Sequence, residues 1–360
     1  MPKQRLMARL AGRSVNRLLA KGFERQIRAR FARPLSTSEL FDDKALRIIL
    51  CGTSSPLPDP NRAKSCVAVI AGGRCYIVDT GPESWKTLAL MNFPGARIAA
   101  ILLTHFHSDH IGDLGEFRLQ TWVGGRRAPL PVYGPVGVAR VVGGFNEAYA
   151  LDDSYRTAHH GSDVMPSTAA PLVARSFSAP EGAPPGRTAV VLEDEGLTIS
   201  AFAVDHAPAS PAVGYRFDYR GRSVVISGDT KKVPAVAVAA KGADILIHDA
   251  LSQRLRGIIA SAARDAGGAR VAKLFDDIGD YHASPVQAAE TANEAGVRHL
   301  VYTHFVPPLL RPALARVYFE GVETIRAKTA WSIGFDGQRI DLPVGTTEIV
   351  QSDMLGAMGR

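Results

Sequence analysis

The stretch that decides the fold is Thr104-His105-Phe106-His107-Ser108-Asp109-His110, which follows directly on the apolar run Ile98 to Leu103. An aliphatic and β-branched run of this length predicts a buried strand, whose C-terminal loop then carries several imidazoles and a carboxylate. Burying so many titratable groups is costly without a cation to compensate them, so the pattern indicates a metal site rather than a solvated loop. These ligand types suit zinc, with manganese or iron as substitutes.

Three distant positions repeat the pattern of an apolar run followed by a metal-binding side chain. Metals held by residues 105–110 alone would lack ligands, so other parts of the chain are expected to complete them. The side chains that follow the later apolar runs are His206, Asp229 and His304. Because active sites on α/β scaffolds gather at strand ends, we expect these three residues to meet the first cluster.

In these motifs the chain resembles the metallo-β-lactamase-fold hydrolases, and within them the branch that contains ribonuclease Z-type phosphodiesterases and a group of arylsulfatases. The resemblance extends from about Leu46 to about Phe335 and centres on the HxHxDH form of residues 105–110. The other matching motifs, in chain order, are an opening loop at residues 51–62, Ile77-Val78-Asp79-Thr80-Gly81, Ser227-Gly228-Asp229-Thr230, His248-Asp249-Ala250 in place of a HEAT motif, and His282-Ala283-Ser284 in place of an HST motif. Their order and spacing together carry the resemblance.

The resemblance implies two metal ions, expected to be Zn²⁺, with Mn²⁺ or Fe²⁺ as alternatives. The implied ligands are His105, His107 and His206 for one ion, Asp109, His110 and His304 for the other, and Asp229 as the bridge between them. Two ions about 3.5–4 Å apart can share a hydroxide and polarise a substrate from both sides. Asp79 is implied to orient a ligand or a bound water from behind. The alternative for Asp79 is a structural one, the capping of a strand-to-glycine turn.

His282 is the expected general acid, because an alkoxide leaving group needs a proton and a histidine can supply one near neutral pH. Asp249 could fix the tautomer of His282, and Asp109 and His248 complete the expected catalytic set. The branch usually carries Glu where Asp249 stands and Thr where Ser284 stands. A shorter carboxylate leaves the contact between Asp249 and His282 open. His248 either supports the site from a buried position or is a hydrogen-bonded core histidine.

Composition is ordinary for a soluble α/β enzyme, since 46% of the 360 residues are hydrophobic and 21% are charged. Cys51, Cys66 and Cys75 are odd in number and form no CxxC motif. With no apolar core typical of a signal peptide, we expect a cytoplasmic protein. The chain also has no run of eighteen apolar residues, so no spanning helix is expected.

Most of the net positive charge belongs to the N-terminal segment. Residues 1–34 carry ten Lys or Arg and one acid, a net +9, whereas the whole chain has +7, so residues 35–360 sum to −2. The segment is rich in Leu and Ala and is followed at its end by Pro34, which predicts a helix. Its basic character favours attachment to an anionic membrane surface, as peripheral association, or to RNA. A solvated helix, or one that packs in a homodimer, is the alternative.

Strands mixed with helices predict the domain organisation. We expect an α/β fold, a four-layer αββα sandwich, as the family resemblance also implies. Residues 1–44 are expected to form a basic, helical N-terminal extension, residues 45–345 the catalytic domain with a loop-rich insertion near 150–190, and residues 346–360 a C-terminal tail. His159 and His160 fall in this insertion and are expected on the surface of a polar loop rather than as ligands.

The expected function is a dinuclear-zinc hydrolase of anionic esters. Phosphodiesters come first, including a ribonuclease Z-type 3′-tRNA-processing activity, and sulfate esters, as in the arylsulfatases, come second. A metal-dependent binding protein without catalysis is the third reading, which the presence of Asp109, Asp229 and His282 makes the weakest. Bacterial ribonuclease Z enzymes often carry a long tRNA-gripping arm before the bridging Asp, but only twelve residues separate Arg216 from Asp229. Either the basic segment binds tRNA instead, or the substrate is smaller.

Overall fold

The structure, a computed structural model, describes residues 15–29, 37–179 and 187–356. The chain divides into two compact units, Met1–Leu40 and Phe41–Arg360. In the first unit, residues 15–29 form helix α1 and Thr37–Leu40 form the short helix α2. The remainder of the predicted basic helix, with Pro34, lies outside the described residues.

Two mixed β-sheets form the framework of the second unit. Their strands, in chain order, are β1 (Ala45–Gly52), β2 (Cys66–Ala71), β3 (Arg74–Val78), β4 (Ile98–Leu102), β5 (Leu130–Gly134), β6 (Leu172–Ser176), β7 (Thr188–Asp194), β8 (Leu197–Val204), β9 (Ala212–Tyr219), β10 (Arg222–Ile226), β11 (Ile245–Leu251), β12 (His299–Val306), β13 (Trp331–Ile333), β14 (Gln338–Pro343) and β15 (Val350–Asp353). The first sheet has the strand order β15-β14-β1-β2-β3-β4-β5-β6, and the second has the order β13-β12-β11-β10-β9-β8-β7. Strand β15 thus adds part of the expected C-terminal tail to the first sheet.

Helices cover the outer faces of both sheets. They are α3 (Ser84–Leu90), α4 (Ser108–Ile111), α5 (Leu114–Val123), α6 (Val138–His160), α7 (Pro234–Ala239), α8 (Gln253–Asp265), α9 (Ala269–Asp277), α10 (Pro285–Glu294), α11 (Ala315–Tyr318) and α12 (Val322–Ile325). Helices α3 and α6 contact the first sheet, and α7 and α10 contact the second. None of the helices among the described residues has the length and apolar character needed to cross a membrane.

The main core lies between the two sheets. Alternate residues of β1 and β2, such as Ile48 and Val69, share one buried cluster with Phe217 and Val224 of the second sheet. A second cluster packs Phe202 and neighbouring strand residues of the second sheet against α7 and α10. Strands β1, β11 and β12 are buried along their whole length. Strands that are covered on both faces have nearly continuous apolar sequences rather than alternating ones. The predicted αββα sandwich is confirmed.

One part of the chain contains more helix than its composition indicated. The expected loop-rich insertion starts inside α6, and His159 and His160, predicted to lie in a loop, are its last two residues and are exposed. The helix continues because it contains no proline, and it ends at Gly161, whose φ of 83° suits a glycine. Residues 180–186 of the insertion lie outside the described part of the chain.

Candidate metal centre

The predicted ligands come from one edge of the sandwich, where strands of both sheets end. His105 and His107 lie in the loop after β4, and the short helix α4 places Asp109 and His110 in its first turn. His206 follows β8 and Asp229 follows β10. His304 lies within β12, where it forms a bulge. The pairing with β11 passes from Thr303 to Phe305 and skips it.

The backbone around two site residues is strained. His304 has a φ of 48° and Asp79 a φ of 59°, in the left-handed region that side chains other than glycine adopt rarely. Such strain persists only where the surrounding structure imposes it, and it clusters at functional sites. At His304 the bulge re-aims the imidazole toward Asp109, with 3.1 Å between Nε2 and Oδ2.

Three histidines form the first group of the centre. The His107 Nδ1 atom lies 2.9 Å from Nε2 of His105 and 3.3 Å from Nε2 of His206. All three ligand atoms fall within 4.8 Å of one another. His105 and His206 are buried, whereas His107 is exposed and marks the open side of the centre.

Two carboxylates and two histidines form the second group, which is fully buried. The Nε2 atoms of His110 and His304 each lie 3.2 Å from Oδ2 of Asp229. The same carboxylate oxygen is 3.9 Å from Nε2 of His105 and 3.7 Å from Nε2 of His206. Asp229 therefore lies between the two groups, in the position expected of a bridging ligand.

Hydrogen bonds behind the centre determine which imidazole nitrogens carry protons. The Thr104 hydroxyl donates to Asp79, 2.8 Å away, so its oxygen accepts from Nδ1 of His105 at 3.1 Å. Nδ1 of His110 likewise donates to Asp79 over 2.7 Å, and Nδ1 of His206 donates to the carbonyl of Tyr281 over 3.0 Å. In each case the Nε2 lone pair is left facing the centre.

The charges agree with this arrangement. Burial lowers the pKa of His105 well below its ordinary value and lowers that of His206 to about 4, so these imidazoles are neutral. Burial alone would raise the pKa of Asp229, but the imidazoles of His304 and His110 hold it well below its usual range. Burial alone would lower the pKa of His110 and His304, but the carboxylate of Asp229 beside them raises it. The carboxylates thus hold positive charge at this place, either as protons on these two imidazoles or as a metal ion. This donor set fits divalent metal ions.

Asp79 contacts the centre rather than a neighbouring turn. Besides the two contacts of its Oδ2 atom, its Oδ1 accepts from the backbone N–H of Thr104 at 2.8 Å. Both carboxylate oxygens thus hold the loop and the ring of His110. These contacts fit an orienting role better than the capping alternative.

The contact between Asp249 and His282 is made despite the shorter carboxylate. Oδ2 of Asp249 lies 2.8 Å from Nδ1 of His282, and Oδ1 lies 2.9 Å from Nδ1 of His248. His282 in turn belongs to a group with His206 and Asp229 whose ligand atoms are all within 4.8 Å of one another. His248 is buried and contacts Asp249, so it lies one side chain further from the centre than His282.

Tyr281 is a site residue that the sequence reasoning missed. Its ring centroid lies 4.7 Å from that of His206 and 4.7 Å from that of His282. Its carbonyl holds His206, as described above. Any residue type can accept a hydrogen bond through its backbone carbonyl, so the sequence does not reveal this role. The one available indication was the position of Tyr281 directly before His282.

Comparisons with known proteins agree on the fold. Residues 74–305 match the family model described as a beta-lactamase superfamily domain. Ribonuclease Z from Mycobacterium bovis (strain BCG / Pasteur 1173P2) is 37% identical over 267 residues, which cover 73% of this chain and 87% of that protein. The solved structure of human tRNase Z, short form, has a TM-score of 0.57 at 20% identity and covers 83% of this chain and 100% of its own. The metallo-beta-lactamase fold protein YhfI from Bacillus subtilis has a TM-score of 0.58 at 19% identity, covering 83% of this chain and 99% of its own.

Proposed function

The chain belongs to the beta-lactamase superfamily and, within it, to the ribonuclease Z family, and from this premise we propose that it is a metal-dependent phosphodiesterase that cuts the 3′ trailer from tRNA precursors. The observation that carries the proposal is the convergence of the donor set with a His282–Asp249 pair at one sheet edge. We assign the activity to residues 45–345 and infer a cytoplasmic location.

Family membership implies the use of a divalent metal. We infer two zinc ions, whose proposed ligands are His105, His107 and His206 for the first, Asp109, His110 and His304 for the second, and Asp229 for both. Zinc, when bound, supplies hydroxide near neutral pH and polarises the ester. The lone pairs of His105, His110 and His206 and the ionised Asp229 support this assignment.

The protein's own acid–base group is inferred to be His282. Its Nδ1 atom is engaged by Asp249, so Nε2 is the atom available to give a proton to the leaving oxygen. Asp249 fixes the orientation of the ring, and His248 contacts Asp249 in turn. A binding protein without catalysis would not require this pair. The sulfate ester alternative has no counterpart among the relatives described above.

No long tRNA-binding arm lies between His206 and Asp229. Strands β9 and β10 fill that interval as a hairpin, and Arg220 and Gly221, with φ of 48° and 82°, make its tight turn. A tRNA substrate would therefore need another binding element. By charge alone the basic N-terminal segment is a candidate, but the faces of its helix α1, described below, favour a lipid surface over RNA.

The proposal is tested by assaying the zinc-loaded protein on three substrates, with and without residues 1–34. We expect cleavage of a precursor tRNA at its 3′ trailer and hydrolysis of bis-p-nitrophenyl phosphate, with no turnover of p-nitrophenyl sulfate. Turnover of the sulfate in preference to both phosphodiesters would overturn the proposal. Loss of trailer cleavage in the truncated protein, with the small ester still hydrolysed, would identify the segment as the tRNA-binding element.

Helix α1 has two distinct faces. Four apolar side chains are 53% to 70% exposed, namely Val15, Leu18, Leu19 and Phe23. At 100° per residue they fall on one side of the helix, opposite the cations Arg17, Lys21 and Arg28. Arg25 lies at the boundary between the two faces. An exposed apolar face backed by cations is typical of helices that lie in a membrane interface. We infer that this helix binds an anionic lipid surface, which its apolar face fits better than RNA.

Flotation with lipid vesicles measures this binding. We expect the full chain to float with phosphatidylserine vesicles and not with phosphatidylcholine vesicles, and Leu19→Ser with Phe23→Ser to abolish flotation. The matched control is Leu151→Ser with Tyr155→Ser on α6, where both residues are similarly exposed. Normal flotation of the double variant would contradict the inference. If the double variant instead bound tRNA more weakly than the wild-type protein, the helix would bind RNA. If it had a lower molecular mass in solution, the helix would pack in a homodimer.

A further inference from the structure

A cavity of about 400 Å³ opens beside the metal centre. Its lining side chains are apolar apart from Ser178 among the described residues, and main-chain groups contribute to the polar part of its surface. The walls include Pro135, Val136, Phe177, Ala203, Pro211 and Val213. Its volume lies within the range of about 300–1,000 Å³ for small-molecule sites, far above that of a packing void.

One lining residue of the cavity, Val213, contacts the loops that carry the proposed ligands. The backbone N–H of Val213 donates to the carbonyl of Thr104, next to His105, over 3.0 Å. Val213 also approaches Gly228, which precedes Asp229, so closely that a Cβ on that glycine would lie 2.7 Å from the Val213 carbonyl oxygen. A bound group in the cavity would therefore lie beside the centre, at the same edge of the sandwich.

The chemistry of the lining restricts what can enter. A phosphate or a metal ion would find no charged partner there, because none of the described lining residues is ionisable. A flat, weakly polar ring would find apolar walls, the ring of Phe177 and one hydroxyl. Phe177 is held from behind by Tyr215, with ring centroids 6.2 Å apart. Aromatic side chains in such positions stack on nucleobases.

We propose that this cavity binds the nucleobase next to the scissile phosphodiester. The inference rests on the proposed function, because a phosphodiester of RNA places a base on each side of the bond that breaks. The cavity then supplies to the substrate an apolar contact in addition to the charged contacts at the centre. Val136, at 60% exposure, lies at its mouth and is the position from which entry can be blocked.

The test combines a variant with an altered substrate. Precursor tRNAs are prepared in which the nucleotide on either side of the cleavage site is replaced, one at a time, by an abasic tetrahydrofuran nucleotide. We expect one of the two to lose about tenfold or more in kcat/KM with the wild-type protein. Val136→Trp should cause a similar loss on the intact precursor but little further loss on that abasic substrate. The control is Val164→Trp, at a position that is also 60% exposed and outside the cavity lining.

Equal losses for Val136→Trp on intact and abasic substrates would overturn the proposal, as would full activity of the wild-type protein on both abasic substrates. A second measurement separates this outcome from failure of the proposed function. Adenosine, which has no phosphate, is expected to bind the wild-type protein in equilibrium dialysis and to bind Phe177→Ala at least about tenfold more weakly. If the protein cleaved no RNA yet bound adenosine in this way, the proposed function would fail and the cavity assignment would stand.

Discussion

Replacing Asp229 by alanine is expected to remove bound metal and at least about 10³-fold of the phosphodiesterase activity. The reason is geometric, because the Oδ2 atom of Asp229 lies within 3.9 Å of imidazole nitrogens in both groups of the centre. Without it, each group loses a shared anionic ligand. The measurements are metal content by mass spectrometry and kcat/KM on bis-p-nitrophenyl phosphate, with circular dichroism to establish that the variant is folded.

Asp218→Ala provides the matched control for Asp229→Ala. Asp218 lies on the same β-hairpin but is partly exposed and pairs with Arg216, whose Nε is 2.8 Å away. Removing an exposed pair of this kind should change stability little and leave metal content unaltered. A folded Asp229→Ala protein that kept its full complement of metal and its rate would refute the bridging assignment.

Replacing His282 by alanine is expected to leave the metals bound but to reduce kcat by about 10²–10⁴-fold on RNA, whose leaving alkoxide needs a proton. The loss should be much smaller on bis-p-nitrophenyl phosphate, because p-nitrophenolate leaves readily without one. Asp249→Asn should produce a weaker loss with the same dependence on the leaving group, since Asp249 acts through the ring it holds. The measurement is kcat on both substrates.

The control for this pair is His160→Ala, which removes an exposed imidazole at the end of α6. It should match the wild-type protein on both substrates. Normal turnover of RNA by His282→Ala would show that another group gives the proton. An equal loss on both substrates, together with lost metal, would mean that His282 is a ligand.

The sequence was sufficient to identify the proposed ligands because the information is local. Each ligand follows or ends an apolar run, and the HxHxDH stretch places four of them in one loop. The reach of Asp249 was not predictable in the same way. It depends on how the segment before α10, which carries His282, lies against β11, where the backbone N–H of Leu251 donates to the carbonyl of Ala283 over 2.8 Å, and such a contact cannot be read from side-chain spacing.

Features formed by the main chain or by several segments also escaped prediction. The carbonyl of Tyr281 and the hydroxyl of Thr104 act through hydrogen bonds that any residue type or many loops could make. The apolar cavity is built from parts of four separate segments, each of which is unremarkable alone. The second half of helix α6 falls in the predicted loop-rich insertion, whose Pro, Gly, Ala and Ser content favours loops, whereas the end of the helix depends on one glycine, Gly161.

Each group of the candidate metal centre draws its side chains from both sheets. His105 and His107 follow a strand of the first sheet and His206 a strand of the second, and the second group is divided in the same way. A cation in either position is consequently a cross-link between the two halves of the sandwich. By mass action, a metal that binds the folded chain and not the unfolded chain increases the free energy of unfolding, and here that increase would hold the two sheets together. Catalytic competence and resistance to unfolding are thereby tied to the supply of the same ion.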